Sequence, residues 1–155
     1  MKRIIFVLLL TAFAFNAKAQ EYKPLVEFET DTIAYLQYNF IDRKDEYIGQ
    51  PLRKLVADYE VLPFRLNPKE TYPFAPEANG KSFIYGVVIL YLYPSEMAEY
   101  KKTHKSYGVL SIDFIESHLE WNSIRKEMLD SDDDFELAEK LGSCVLKSLD
   151  LLIRP

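Results

Sequence analysis

The sequence is poor in the residues on which many small exported domains and enzymes depend. Its 155 residues include one cysteine, two histidines and five glycines. One cysteine cannot form an internal disulfide, so side-chain packing must hold the fold together. Two histidines, neither of them in an H-E-x-x-H pattern, are too few for a histidine-rich metal site. We also find no phosphate-binding glycine loop, no dinucleotide fingerprint and no G-x-S-x-G motif, so the sequence predicts no cofactor and no catalytic residue.

Positive charge is scarce as well. The chain carries 19 lysines and arginines against 24 aspartates and glutamates, a formal net charge of −5. An acidic domain lacks the basic surface that attracts nucleic acid, and anionic membranes repel it. No second long apolar run follows the one near the N-terminus. These features predict a product with no nucleic-acid partner and no stable membrane insertion.

The N-terminus has the three parts of a secretory signal. Lys2–Arg3 precede an apolar run, Ile4–Phe15, whose twelve residues are fewer than the roughly 20 of a membrane-spanning helix. The alanines of Ala17–Ala19 supply small residues at the −3 and −1 positions of a cleavage site. We therefore expect residues 1–19 to be a signal peptide, residues 20–155 to be one domain, and the product to be periplasmic or secreted. Three of the 19 basic residues lie in that signal, so 16 would remain against 24 acidic ones, a net charge of about −8.

Apolar periodicity predicts a mixture of helices and strands in the rest of the chain. Asp31 or Thr30 can cap a first helix, in which Ile33, Leu36 and Phe40 recur at helical spacing. Two later stretches have strand character and a last one returns to helical spacing: Ser82–Tyr93, Val109–Glu116 and Phe135–Leu152. The pattern predicts an α+β domain, an antiparallel sheet of three or four strands with helices packed mainly on one face.

The segment Tyr47–Leu66, YIGQPLRKLVADYEVLPFRL, is the most patterned part of the chain. Pro51 suits the first position of a helix, because its missing N–H would have no intrahelical partner there, and Gly49 tolerates a tight turn before it. An apolar stripe follows at i, i+3, i+4 and i+7: Leu52, Leu55, Val56 and Tyr59. The closing VLPFRL predicts a strand at a sheet edge, because Pro63 cannot donate to a ladder. We therefore interpret Gly49–Leu52 as a helix start rather than as a ligand-binding loop.

The same segment, Tyr47–Leu66, resembles the V-G-x-P-L-x-x-A helix start and following strand of PASTA domains, which recognise cell-wall peptidoglycan. The resemblance implies a glycan of the cell envelope as one class of ligand. PASTA modules begin with a strand, where this chain has a predicted helix and a charged break. The whole layout, with a signal, a helix, YIGQPL, strands, a tryptophan and a C-terminal helix, is similar to small exported bacterial proteins of unknown function. That second resemblance implies export but no activity.

The strand Ser82–Tyr93 supplies the candidate binding site. One of its faces is aliphatic and suits a helix layer. The other face is rich in aromatic residues: Phe83, Tyr85, Val87, Ile89, Tyr91 and Tyr93. A tyrosine combines an apolar ring with a hydroxyl, and exposed patches of such residues mark interaction sites. A long proline-rich loop, Asn67–Lys81, adds Tyr72 and Phe74 as further candidates. The alternative is that the protein's own helices cover the aromatic face and that the loop folds back on the core.

Two further features have structural explanations. The acidic run Asp130–Asp134 places carboxylates at positions 1, 3 and 5 of a calcium loop, but Phe135 replaces the glycine of position 6 and Leu141 the glutamate of position 12. We expect these carboxylates to cap the following helix instead, and we predict no metal site. Cys144 lies within the predicted C-terminal helix, where we expect a buried thiol.

These observations favour a non-catalytic cell-envelope protein that binds another protein or a glycan. The tyrosine-rich face would be its contact surface or the interface of a homodimer. Three other classes stay open: a periplasmic immunity or inhibitor protein, an enzyme with scattered catalytic residues, and a purely structural oligomer. An open aromatic groove would favour a glycan, and a flat closed face a protein partner. An enzyme would instead bring polar groups together in a deep pocket.

Overall fold

The computed structural model describes residues 20–29, 31–62, 64–71, 81–90, 99–100, 102, 106–116, 119–122, 124 and 134–154. These residues form an antiparallel sheet with short helices, so the predicted α+β class is confirmed. The four strands are neighbours in chain order: β1 (Arg65–Glu70), β2 (Ile84–Leu90), β3 (Tyr107–Phe114) and β4 (Leu146–Arg154). β1 and β4 are therefore the two edges of the sheet.

Short helices accompany the sheet. The fully described ones are α1 (Thr32–Leu36), which continues as a π-helical turn (Gln37–Ile41), α2 (Leu52–Ala57) and α3 (Phe135–Leu141). Single 3-10 turns occupy Leu25–Phe28 and Lys44–Glu46. Asp31 caps α1 as predicted, since its Oδ1 accepts a hydrogen bond of 2.8 Å from the Ala34 N–H. Helices this short depend on packing against the sheet. Within the described residues, none is long and apolar enough to cross a bilayer.

The core lies between one face of the sheet and the helices. A side chain at Gly108 would meet Ile33 and Leu36, which shows that α1 packs over the face of β3 that carries Gly108. The fully buried side chains come from both layers: Tyr35, Leu36, Phe40, Leu52 and Leu55 from the helical side, and Ile84, Val87, Ile89, Leu110 and Ile112 from the sheet. Removing this apolar surface from water stabilises the fold by about 25 cal/mol per Å².

The helices cover the face of β2 on which we placed the candidate binding site, which is the alternative that the sequence left open. Val87 and Ile89 are fully buried in the core, whereas Val88 and Leu90, on the face predicted to meet the helices, are only half-buried. The assignment of the helix layer to the aliphatic face was wrong, and the reason is that β2 is apolar on both faces. Alternation then separates the faces but does not say which one the helices will choose.

A β-bulge also breaks the alternation of β2. Ile84 pairs with Glu70 and Gly86 pairs with Lys69, which leaves Tyr85 as an extra residue without an opposite partner. Strict alternation would separate Ile84 from the buried residues of β2. The extra residue brings Ile84 back to their side, and Ile84 is fully buried.

The predicted C-terminal helix Phe135–Leu152 is wrong in its second half. α3 ends at Leu141, and after the turn Gly142–Cys144 the chain becomes β4, which pairs antiparallel with the whole of β3. Leu149 and Leu152, predicted on one helical face, lie on opposite faces of β4, because side chains an odd number of residues apart alternate along a strand. The leucine-rich sequence suits a helix locally, and pairing with β3 overrides that preference.

The segment Gly49–Leu52 starts α2 as predicted, although Pro51 is the N-cap instead of the first helical residue, and it also pairs with β4. Gly49 adopts φ = 76°, a left-handed conformation that favours glycine. Its N–H donates to the carbonyl oxygen of Leu146 (2.9 Å), and the N–H of Leu146 donates to the carbonyl oxygen of Gln50 (2.9 Å). Pro51 is the N-cap of α2 and forms a β-bridge with the residue before β4. The segment therefore closes the beginning of β4 on its outer side.

β1 begins later than predicted. Phe64 and Leu66 are buried, but Leu62 is 70% exposed, so these residues do not share one face as expected. β1 continues through Pro68 into the region predicted to be a loop. The predicted edge position is confirmed, although the proline in the strand is Pro68, and Pro63 lies outside the described residues.

The first described residues, Gln20–Phe28, are fastened to the helical layer. Asn39, buried in the π-helical turn, accepts a hydrogen bond from the N–H of Lys23 (2.9 Å) and donates one to its carbonyl oxygen (2.8 Å). The Tyr22 hydroxyl donates to the Glu60 carboxylate (2.7 Å). The residues that follow the predicted cleavage site are thus part of the folded domain.

Candidate functional site

The structure places one of the aromatic residues predicted to form the binding site. Tyr85, the extra residue of the bulge in β2, is 46% exposed. Of its neighbours on the predicted face, Val87 and Ile89 belong to the core, and Phe83, just before β2, is half-buried. The remaining candidates lie outside the described residues: Tyr72, Phe74, Tyr91 and Tyr93. The structure therefore brings no two of the predicted aromatic residues together among those it describes.

A row of polar side chains crosses the sheet on the face away from the helices. The Lys69 Nζ donates to Ser111 Oγ (2.6 Å) and to Asp113 Oδ1 (2.7 Å), and Ser148 Oγ donates to Asp113 Oδ2 (3.1 Å). Lys69 lies opposite Gly86, and Gly86 opposite Asp113, so the lysine crosses β2 where no side chain stands in its way. The hydrogen bond from Lys69 lowers the pKa of Asp113.

This row joins a serine hydroxyl to a lysine, which is also the pairing of some hydrolytic sites. A lysine that activates a serine must be neutral, so that it can accept the hydroxyl proton. Lys69 is instead ion-paired with Asp113 at 2.7 Å and donates to Ser111. The row therefore ties β1 to β3 and β4, and its chemistry is that of a structural cross-link.

Two open cavities lie beside the helices. One, of about 410 Å³, is lined by the ends of β3 and α3: Ile115, Glu116, Leu119, Lys140, Ser143, Cys144 and Val145. The other, of about 550 Å³, lies between α2 and α3: Arg53, Val56, Ala57, Glu136, Ala138 and Glu139. Cys144 is buried as predicted, but it lies in the turn before β4 instead of in a helix. Among the described residues, no three metal-binding side chains come together.

Asp134 acts on the sheet edge instead of capping α3. It holds the N-cap position, but its Oδ2 accepts a hydrogen bond of 2.9 Å from the N–H of Leu66 in β1 and lies 4.0 Å from the guanidinium of Arg65. The next position of β1 on the same side is Pro68, which has no N–H. The rest of the acidic run, residues 130–133, lies outside the described residues. The carboxylate and the proline together close the outer edge of β1.

The register of the sheet shows which way the backbone of β4 faces. In an antiparallel pair each residue directs its N–H and C=O to the same side, and opposite residues alternate between hydrogen-bonded and non-bonded pairs. The N–H of Leu66 points out of the sheet to Asp134, so the pair Leu66–Ile89 is non-bonded. The N–H and C=O of Ile89 therefore point toward β3. Ile89 lies opposite Leu110, and Leu110 opposite Leu151. The N–H and C=O of Leu110 therefore point toward β2, and those of Leu151 point away from the sheet.

Among the described residues, no segment pairs with the outer side of β4 beyond its first residues. The same alternation gives Leu149 and Ile153 outward backbone groups, as it does Leu151. In the described part of the chain, none of these three residues has a hydrogen-bond partner on that side. The segment Gly49–Leu52 occupies the edge only at Leu146. We call the outward side of Leu149, Leu151 and Ile153 the open edge.

The open edge was missed because its residues were assigned to a helix. One signal in the sequence could have found it. Gly142 is a residue typical of a helix C-terminus, and it directly follows the last residue of α3. A helix that ends there leaves a final stretch of about ten residues, which is long enough for an edge strand.

Comparison with known proteins gives no assignment: no family model, no curated protein and no solved structure matches this chain.

Proposed function

We propose that this chain is a non-catalytic, exported cell-envelope protein that binds a protein partner through the open edge of β4. The proposal rests on the difference between the two sheet edges. Asp134 and Pro68 close the β1 edge. The open edge offers three outward residues whose donors and acceptors no described residue uses. Natural sheets protect their edges, so an unprotected edge beside a protected one favours a role in pairing.

A protein strand suits this edge better than a glycan does. An added strand supplies an N–H and a C=O at every second residue, which is the spacing of Leu149, Leu151 and Ile153. Glycan hydroxyls have no such repeat. In this mode of binding, main-chain hydrogen bonds supply affinity and neighbouring side chains supply specificity.

The exposed side chains along β4 are of two kinds, which favours a selective partner. Ile153, on the helix-covered side of the sheet, is 57% exposed. Asp150 and Arg154 are exposed on the other side and carry opposite charges. A partner strand would therefore need an apolar residue on one face and charged or polar residues on the other.

The signal-like N-terminus and the acidic composition support the cellular setting of the proposal. An exported acidic domain meets envelope proteins rather than nucleic acid.

The test compares three immobilised forms of the exported protein: wild type, Ile153→Lys and Leu62→Lys. A lysine at residue 153 places a charge on the open edge and should block strand pairing. Leu62 is 70% exposed and lies outside the sheet, so Leu62→Lys is the matched control. Each form is incubated with an envelope extract of the native host, and the captured proteins are identified by mass spectrometry.

We expect wild type and Leu62→Lys to retain a protein, which can be the chain itself, that Ile153→Lys loses, while all three forms melt at similar temperatures. Equal capture by the three forms would overturn the proposal.

A further inference from the structure

We infer that the occupant of the open edge is a second copy of this chain, paired antiparallel about a two-fold axis at Leu151. The inference rests on the proposed function, because it names the partner of the same edge. The pairing joins two four-stranded sheets into one continuous sheet across the axis. Contacts of this self-complementary kind are the commonest in soluble dimers.

Symmetry and backbone direction leave few registers for this pairing. A two-fold axis perpendicular to the sheet places one residue opposite its own copy, and hydrogen bonds need outward residues opposite outward residues. With the axis at Leu151, all three outward residues are used. Leu149 lies opposite Ile153 of the second copy, Leu151 lies opposite itself, and Ile153 lies opposite Leu149. Each of these pairs exchanges two hydrogen bonds.

Other positions of the axis are less favourable. An axis at Asp150 would put two carboxylates directly opposite each other. An axis at Leu149 would place Leu152 of the second copy where the segment Gly49–Leu52 already pairs with β4. An axis at Leu152 or Ile153 would pair at most two of the three outward residues of the open edge with one another.

The register with the axis at Leu151 also matches the side chains. On the helix-covered face, the exposed Ile153 would pack beside Leu149 of the second copy, so apolar surface that is now in water would be buried. On the other face, Asp150 would lie diagonal to Arg154 of the second copy, at about 7–8 Å between Cα atoms, which an arginine can span. Two-fold symmetry repeats both contacts.

The closed edge of β1 makes this assembly stop at two copies. If both edges were open, β4 of one copy could pair with β1 of the next, and such head-to-tail contacts extend without limit. Asp134 occupies the outward N–H of Leu66, and Pro68 has none to offer. One open edge and one closed edge therefore favour a closed dimer.

The first experiment measures the mass of the purified exported protein by sedimentation equilibrium over a range of concentrations. We expect wild type and Leu62→Lys to reach twice the monomer mass, and Ile153→Lys to remain at the monomer mass. Wild type that stays monomeric at every concentration would overturn the inference.

The second experiment tests the register by disulfide trapping in a Cys144→Ala background. Leu151→Cys should form a disulfide-linked dimer, since opposite Cα atoms lie about 5.5 Å apart in a hydrogen-bonded pair, within the range that disulfides accept. Ile153→Cys is the control on the same face, because its two copies would be separated by about 13 Å along the strands. Trapping of Ile153→Cys in place of Leu151→Cys would overturn the axis at Leu151.

Failure of the inference and failure of the proposed function are seen in different measurements. Monomeric wild type, combined with loss of an extract protein only for Ile153→Lys, would reject the second copy and keep the open edge as a binding site. Equal capture by all forms would reject the edge itself.

Discussion

At the scale of single residues, Tyr47 shows how burial and one hydrogen bond determine protonation. Its side chain is fully buried, its ring centroid lies 5.5 Å from that of Phe40, and its hydroxyl donates to Asp58 Oδ2 at 3.0 Å. Burial, followed by the neighbouring carboxylate, raises the pKa of Tyr47. Burial likewise raises the pKa of Tyr22 and Tyr35.

These shifts predict a loss of stability at alkaline pH. The folded state keeps the tyrosine protons beyond the pKa of about 10 that unfolded tyrosines have, so stability is complete below about pH 10 and falls as the pH rises above it. Tyr47→Phe should make this fall less steep. The raised pKa values of Tyr22 and Tyr35 should still cause part of the loss of stability. At neutral pH the same variant should lose about 1–2 kcal/mol, because Asp58 loses a donor.

The measurement is the free energy of unfolding in urea between neutral and strongly alkaline pH. An equally steep decline in wild type and Tyr47→Phe would show that Tyr47 does not contribute.

At the scale of the elements, the register shows at which positions an edge strand tolerates proline. Pro68 is tolerated in β1 because its position faces outward, where a missing N–H breaks no ladder bond. In β4 the adjacent leucines 151 and 152 face opposite ways: Leu151 outward and Leu152 toward β3. Both side chains are half-buried, so they form a matched pair for substitution.

We expect Leu152→Pro to destabilise the fold more than Leu151→Pro does. Only the first removes a ladder hydrogen bond to β3, worth about 0.5–1.5 kcal/mol, and forces the two strands apart. Urea unfolding of both substitutions in the Ile153→Lys background, in which the hydrogen bonds of Leu151 to a second copy are absent, measures the difference. Equal destabilisation, or a greater loss for Leu151→Pro, would contradict the backbone direction that we derive for β4.

At the scale of the whole molecule, the fold incorporates the residues directly after the predicted cleavage site. Gln20 Nε2 donates to the carbonyl oxygen of Tyr38 (3.3 Å). The Asn39 side chain forms hydrogen bonds with both the N–H and the C=O of Lys23. A cleavage site much further along the chain would remove these contacts. Cleavage after Ala19, as predicted, would leave these contacts in place.

We predict that the protein purified from its native host begins at or within a few residues of Gln20. Intact-mass spectrometry measures this directly. Ala19→Arg is the control, since a large charged residue at the −1 position should block cleavage and leave the precursor. A mature pool that retains Met1 would contradict the export prediction.

The sequence by itself was sufficient for features that depend on neighbours along the chain. The Asp31 cap, the tight turn at Gly49 and the buried stripe of Leu52 and Leu55 each follow from side-chain chemistry within one or two turns. The α+β class followed from the change between periods of 2 and 3.6 residues. The burial of Cys144 followed from its apolar surroundings.

Only the tertiary structure decided features that depend on partners far along the chain. Leu146–Arg154 is a strand because β3 is available to pair with it, and the open edge exists only through that pairing. The helices pack on one of the two apolar faces of β2, and the bulge at Tyr85 places Ile84 on that face. Asp134 reaches Leu66, 68 residues away, instead of its own helix. Periodicity reports local spacing, whereas register, bulges and edges are set by contacts between strands.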